Sequence, residues 1–322
     1  MSNEFIQSNI TSNRVQSVAL IFAMVCVLAL IGVLMAGPMG VAVAIGLCVM
    51  AILFGPGSSP QLVLRMYKAQ QISRQASPQL FDVFTELVKR ADIGEMPTLH
   101  YIPSRTLNAF AVGNSKQSAV AITDGLLRML SPREIAGVLA HEVSHIRHRD
   151  MKVLGIADTV SRIIGTLSQI GQMMLLLAIP TFLMNGGYLL LFGALMLIAS
   201  PLVSNALQMA LSRSREFNAD LGAVALTGDA QGLASALAKL ERITSGTGFP
   251  WIVPGRKSQT VPALLRTHPA TDERIRRILE AGDSLGLAKP EAVPHEVERR
   301  LAPGDQPRVR QGPGWHIAGL WY

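Results

Sequence analysis

The chain has 322 residues, of which 49% are hydrophobic and only 16% charged, with a mean hydropathy of +0.33. That balance excludes an ordinary soluble protein and points to one lodged in a membrane, with length for two ordinary domains. A net charge of +7 and a pI near 9.8 raise nucleic-acid binding, but no motif of that kind is present and no nucleic-acid partner is expected.

Residues 1–15 read as a short polar N-terminus. Residues 15–64 and 163–212 contain no Asp, Glu, Lys or Arg, and each block is 50 residues long. One spanning helix needs about 20 residues, so each block has room for two helices and a turn. Gly37-Pro38-Met39-Gly40 and Asn185-Gly186-Gly187 supply the breaks. Four spans are predicted, near 16–36, 39–56, 161–183 and 188–210, which form transmembrane hairpins over 16–56 and 161–210. A cleaved signal peptide fits the first run poorly, because a second apolar run follows at once. A buried hairpin in a soluble domain is the alternative for the second pair, which carries Gln169, Gln172, Asn205 and Gln208.

Neither break carries charge, whereas the flanks carry Arg14, Arg65, Lys68, Arg147, Arg149, Lys152, Arg213 and Arg215. The positive-inside rule then places both termini and the intervening segments in the cytoplasm, beside the lipid bilayer. Cys26 and Cys48 lack metal-ligand spacing and read as small apolar fillers.

Residues 57–160 read as the first part of a cytoplasmic domain. A helix is predicted over 61–92, with Leu80, Phe81, Phe84, Leu87 and Val88 on its apolar face. Short runs at 98–102 and 119–123 read as strands, with 108–113 connecting them. A small antiparallel sheet is expected, whose edge can hold an extended polypeptide by strand addition. His100 reads as an ordinary strand residue.

Residues 131–150 contain His141-Glu142-Val143-Ser144-His145. Ser131 at the N-cap, Pro132 at the first helical position and Glu134 completing a capping box predict a helix start. Residues four apart share a helix face, so His141 and His145 can reach one metal ion while Glu142 stands beside it. His148, one turn further on, reads as part of a solvated basic patch near lipid headgroups.

Residues 211–280 read as the second part of the domain. Glu216 and Asp220 are one helical turn apart, which lets Glu216 complete a His2Glu metal site while Asp220 accepts the second ring N–H of a liganding histidine such as His141; two solvated carboxylates at the start of a surface helix are the alternative for the pair taken alone. The helix is predicted to continue over 216–245, followed by a loop over 246–259 and a helix over 271–280. Residues 281–322 read as a Pro-rich tail with an aromatic end.

His141-Glu-Val-Ser-His145, Ser214-Arg-Glu216-Phe-Asn-Ala-Asp220, Leu107-Asn108-Ala109-Phe110 and His268-Pro-Ala-Thr-Asp-Glu-Arg274-Ile275 together resemble the HtpX family of membrane zinc metalloproteases, relatives of the CAAX prenyl proteases. The likeness runs in order from the first membrane segment to about residue 280. It implies a mainly α integral membrane protein with a zincin-like (gluzincin) α+β protease domain and one Zn2+. It further implies that Asn108, Ala109 and Phe110 line the substrate cleft, with Asn108 meeting the substrate or its developing oxyanion; on the residues alone, Asn108 as a turn residue and Phe110 as core is the alternative. His268 stabilises the tetrahedral intermediate in that reading. Arg274 either buttresses the same region or forms a salt bridge.

The chemistry expected is hydrolysis of a peptide bond, with His141, His145 and Glu216 on zinc and Glu142 as the base. Membrane or unfolded proteins are the natural substrates, and a role in membrane-protein quality control and stress, at a cell inner membrane, follows from the resemblance. A prenyl-protein protease and a catalytically idle zinc scaffold are the alternatives. Glu142 argues against the scaffold, since a structural site has no need of a base.

Overall fold

The structure, a computed structural model, describes residues 2–54, 60–114, 117–246 and 271–286. Helix α1 (Ser2–Phe54) is interrupted at Ala36 and Gly37, and Gly37 takes φ 61° ahead of Pro38. A Cβ on Gly32 would come within 2.7 Å of the Gly40 carbonyl oxygen. In a straight helix these residues would stand about 12 Å apart, so α1 folds back into two arms.

The arms pack against α6 (Asp150–Asn185) and α7 (Tyr188–Thr227). Met24, Leu28 and Ile31 of one arm and Ala44 and Cys48 of the other share a core with Ala157, Val160, Ile164 and Leu197. The hydroxyls of Ser161 and Ser204 meet inside the bundle at 3.0 Å. Outside, Leu176, Leu183, Leu189 and Leu202 are 70–77% exposed. An apolar exterior of this extent suits hydrocarbon and not water. Among the described residues, three helices are long and apolar enough to cross a membrane: the kinked α1, α6 and α7.

Both later helices overrun their predicted spans. α6 starts at Asp150 rather than near 161, and α7 continues to Thr227 rather than 210. Hydropathy marks where a helix meets water, but nothing at those points breaks the backbone ladder.

The predicted helix over 61–92 is divided into α2 (Pro60–Met66) and α3 (Pro78–Arg90). Between them Lys68 takes φ 51° and β1 (Gln70–Gln71) pairs with β2 (Thr98–Ile102). The backbone there finds sheet partners that local periodicity does not reveal.

Residues 108–113 are not a simple connection. Ala109–Gly113 is strand β3, which turns through Asn114 and Gln117 into β4 (Ser118–Thr123) as an antiparallel hairpin. With that side of β4 taken, β2 joins its other side in parallel, and the order is β1-β2-β4-β3. The sheet is therefore mixed, and the antiparallel expectation is corrected. β3 forms one edge.

One sheet face, through Leu99, Val120 and Ile122, packs with Phe84 of α3 and Leu139 and Val143 of α5 (Pro132–His148). The other face, through Ile102, Ala119 and Ala121, packs on Leu64 of α2. The short helix α4 (Asp124–Met129) links β4 to α5. α5 begins with the predicted capping box: Glu134 N–H donates to Ser131 Oγ at 3.4 Å, and Ser131 N–H donates to Glu134 Oε2 at 2.8 Å.

The helix predicted over 216–245 is two helices. α7 ends at Gly228, whose φ of 69° suits glycine, and α8 (Ala230–Gly246) turns back across α5. Arg133 pairs with Asp229 at that corner. α9 (Thr271–Ser284) runs slightly beyond the predicted 280. The loop over 246–259, apart from its first residue, lies outside the described residues, as do His268 and the tail from 287 onward.

Candidate metal centre

Two helices bring the candidate ligands to one buried point. His141 comes from the second half of α5 and His145 from its last turn, and Glu216 comes from the far part of α7. α7 approaches α5 closely because Gly222 faces Ser144, where a Cβ would lie 2.5 Å from Ser144 Oγ. His141, Glu142 and Glu216 are all less than 10% exposed.

Donor atoms of His141, His145 and Glu216 lie within 4.8 Å of one another. The two imidazole Nε2 atoms are 3.1 Å apart. Glu216 Oε2 is 3.4 Å from His141 Nε2, and Oε1 is 3.7 Å from His145 Nε2.

The opposite ring nitrogens decide what these atoms are. His141 Nδ1 stands 3.0 Å from Asp220 Oδ1, and His145 Nδ1 stands 2.8 Å from Asp150 Oδ2. A carboxylate beside Nδ1 fixes the N–H there and leaves Nε2 with its lone pair. Two lone pairs and a carboxylate oxygen then face one another out of water. Such a cluster repels itself unless a cation lies among the three, and an N2O donor set of this kind suits zinc.

The charges report the same excess of negative potential. Burial works against a charged His141, but the Asp220 and Glu216 carboxylates outweigh it and push the imidazole up to about 10. Burial likewise opposes charge on His145, yet Asp150 and Glu216 leave it raised.

Arg274 of α9 completes the surround. Its Nε and Nη2 donate to Asp220 at 2.8 and 2.7 Å, and Nη1 lies 3.0 Å from Glu216 Oε2. Burial opposes the charged guanidinium, but Asp220, Glu216 and Glu142 hold its pKa above the usual range. The salt-bridge alternative and the buttressing alternative for Arg274 thus describe one contact.

Other predicted residues fall elsewhere. His148 is half-buried, its Nδ1 has no hydrogen-bond partner, and burial lowers its pKa, so it is not part of a solvated basic patch. Ala109 packs into the core on the α5 side, whereas Phe110 tilts against Tyr67 at 5.2 Å on the opposite face of the sheet. The backbone of Asn108 is tied to Thr123 through three hydrogen bonds of 2.8 to 3.0 Å, at the start of the edge strand.

Sequence reasoning missed Asp150 and Arg215. Asp150 lies beyond the end of α5, where helical spacing no longer applies, and Arg215 reads as one more basic flank residue. Arg215 Nη1 donates to Asp150 Oδ1 at 2.9 Å.

Known proteins resemble this chain over most of its length. The model of Peptidase family M48 matches residues 74–281, which spans both halves of the site. A protein named "Protease HtpX homolog" from Paraburkholderia phytofirmans is 35% identical over 281 residues, covering 83% of this chain and 96% of its own.

The chain belongs to the HtpX proteases of peptidase family M48.

Homologues of the same name from Methylibium petroleiphilum and Burkholderia thailandensis are 33% and 34% identical, again over 83% of this chain and 97% and 96% of theirs. Family membership and the apolar exterior of the helical bundle together make this HtpX protein a membrane-bound metalloprotease. His141, His145 and Glu216 are its candidate metal site.

Proposed function

We propose that this HtpX protein is a zinc-dependent endopeptidase that hydrolyses membrane or misfolded proteins at the cytoplasmic face of the cell inner membrane, in membrane-protein quality control and stress response. The observation that carries this reading is the convergence of His141 Nε2, His145 Nε2 and Glu216, with carboxylates on both opposite ring nitrogens.

His141, His145 and Glu216 would hold a zinc ion, which would supply Lewis acidity and lower the pKa of a water towards roughly 7. Glu142, next to His141 on α5, takes the proton from the attacking water and passes it to the leaving amine. The outer edge of β3 receives the substrate as an added strand, since α5 lies alongside it. Asn108 at the start of that edge meets the substrate carbonyl, and His268 assists as charge develops there.

The uncharged turns at Gly37 and Gly186, against the basic flanks, support four spans with both termini and the site in the cytoplasm. Only four residues separate His145 from the first residue of α6, the helix that runs on into the apolar bundle, which supports a site close to the membrane surface. The test is metal analysis of detergent-purified protein alongside cleavage of an unfolded model substrate, with and without a chelator. About one equivalent of zinc and chelator-sensitive cleavage are expected, and full cleavage by metal-stripped protein would overturn the reading.

A further inference from the structure

Asp150 is the most completely buried acid near the centre, at 0% exposure, and Arg215 is 5% exposed. Neither is a candidate ligand, yet together they reach the second histidine. Asp150 Oδ2 lies 2.8 Å from His145 Nδ1, and Asp150 Oδ1 accepts from Arg215 Nη1 at 2.9 Å.

We infer that Asp150 and Arg215 are positioning residues that set the tautomer and orientation of His145 for metal binding. The inference rests on the reading of His141, His145 and Glu216 as the ligands.

The local backbone is built for this contact. Arg149 closes α5 with φ 56° and ψ 33°, a left-handed conformation that residues other than glycine adopt rarely. That turn brings the first residue of α6 back beneath a side chain in the last turn of α5. An acidic partner on Nδ1 fixes the proton there, keeps Nε2 as the donor and raises its basicity. Arg215 gives this fully buried acid a basic partner at 2.9 Å.

The arrangement mirrors the other ligand. His141 is backed by Asp220, which Arg274 holds, and His145 is backed by Asp150, which Arg215 holds. Arg215 and Glu216 are neighbours on α7, so one helix supplies a ligand and also fixes the residue behind another ligand. The three members of the second chain come from α5, α6 and α7, which makes the His145 half of the site depend on how the two long helices seat.

The test uses full-length protein in detergent, with zinc affinity measured by competition against a chromophoric chelator and the visible spectrum recorded after cobalt substitution. Asp150→Ala is expected to weaken zinc binding by about 10–100-fold and to shift the cobalt bands. Arg215→Lys is expected to bind more tightly than Arg215→Gln. Mere loss of fold stability would lower the unfolding temperature and leave the bands of the loaded protein unchanged, which overturns the inference. Should Asp150→Ala fail to fold, isosteric Asp150→Asn is read instead, and wild-type affinity in it overturns the inference. Failure of wild type to bind zinc, or undiminished binding by Glu216→Gln, would sink the metal-site reading itself.

Discussion

Arg274 grips Asp220 through two parallel hydrogen bonds of 2.7 and 2.8 Å, with the two residues only 4% and 2% exposed. The fork ties α9 to α7 and places a positive charge behind His141. Arg274→Ala leaves Asp220 and Glu216 without that guanidinium. Breaking one side of a buried pair costs about 3–5 kcal/mol, which is expected as a lower unfolding midpoint for metal-free protein. Added zinc should recover more of the loss in the variant than it adds to wild type, since a cation offsets the same carboxylates; equal gains in both would contradict this.

Glu142→Gln separates proton transfer from metal binding. Turnover is expected to fall by about 10²–10⁴-fold, with zinc content and unfolding temperature unchanged. His141→Ala should lose zinc as well. Single-turnover cleavage and metal analysis on the same samples distinguish the two variants.

The register of the sheet singles out Ala111. Thr123 N–H donates to the Asn108 carbonyl and Asn114 N–H to that of Gln117, so even-numbered residues of β3 bond to β4. Ala109, Ala111 and Gly113 then turn their N–H and C=O outward. Proline is tolerated on an edge strand where the N–H faces out, so Ala111→Pro should keep the fold. It is expected to raise KM at least several-fold by removing one bond to an added strand, and an unchanged KM would rule out this edge as the docking site.

The raised His141 gives metal-free protein a defined pH dependence. A group whose folded pKa is above its unfolded value stabilises fully below the unfolded value and loses that effect as pH passes the folded one. With values of 6.5 and about 10, chelator-treated protein should lose stability as pH rises across that interval. Zinc-loaded protein should not, because the cation takes the proton's place. Thermal unfolding at a series of pH values, with and without chelator, reads the difference directly.

The motif helix was legible in sequence because everything that makes it is local: Ser131, Pro132 and Glu134 cap it, and the i, i+4 spacing of His141 and His145 sets its face. Glu216 and Asp220 could be paired with it because they too are one turn apart. The sheet was less legible. Strand β3 is short, and parallel pairing of β2 with β4 is a choice between distant segments that no local pattern encodes. Asp150 escaped notice for a related reason: it reaches His145 through the left-handed Arg149, where helical periodicity ends. The break of the chain at Gly228 was hidden by an Ala- and Leu-rich composition that suits helix on both sides.

α7 is one continuous helix of 40 residues, about 60 Å from end to end, with its first turns in the apolar bundle and Glu216 near the other end. As a rigid rod it would turn small adjustments at one extremity into displacements at the other. Glu216 lies about 42 Å along it from Tyr188, so tilting such a rod by about 5° at that end would move Glu216 by about 4 Å, close to the 4.8 Å within which the donor atoms lie. One rigid element thus joins the lipid-facing bundle to a candidate ligand, and cleavage assayed in vesicles of different acyl-chain length is expected to vary with bilayer thickness.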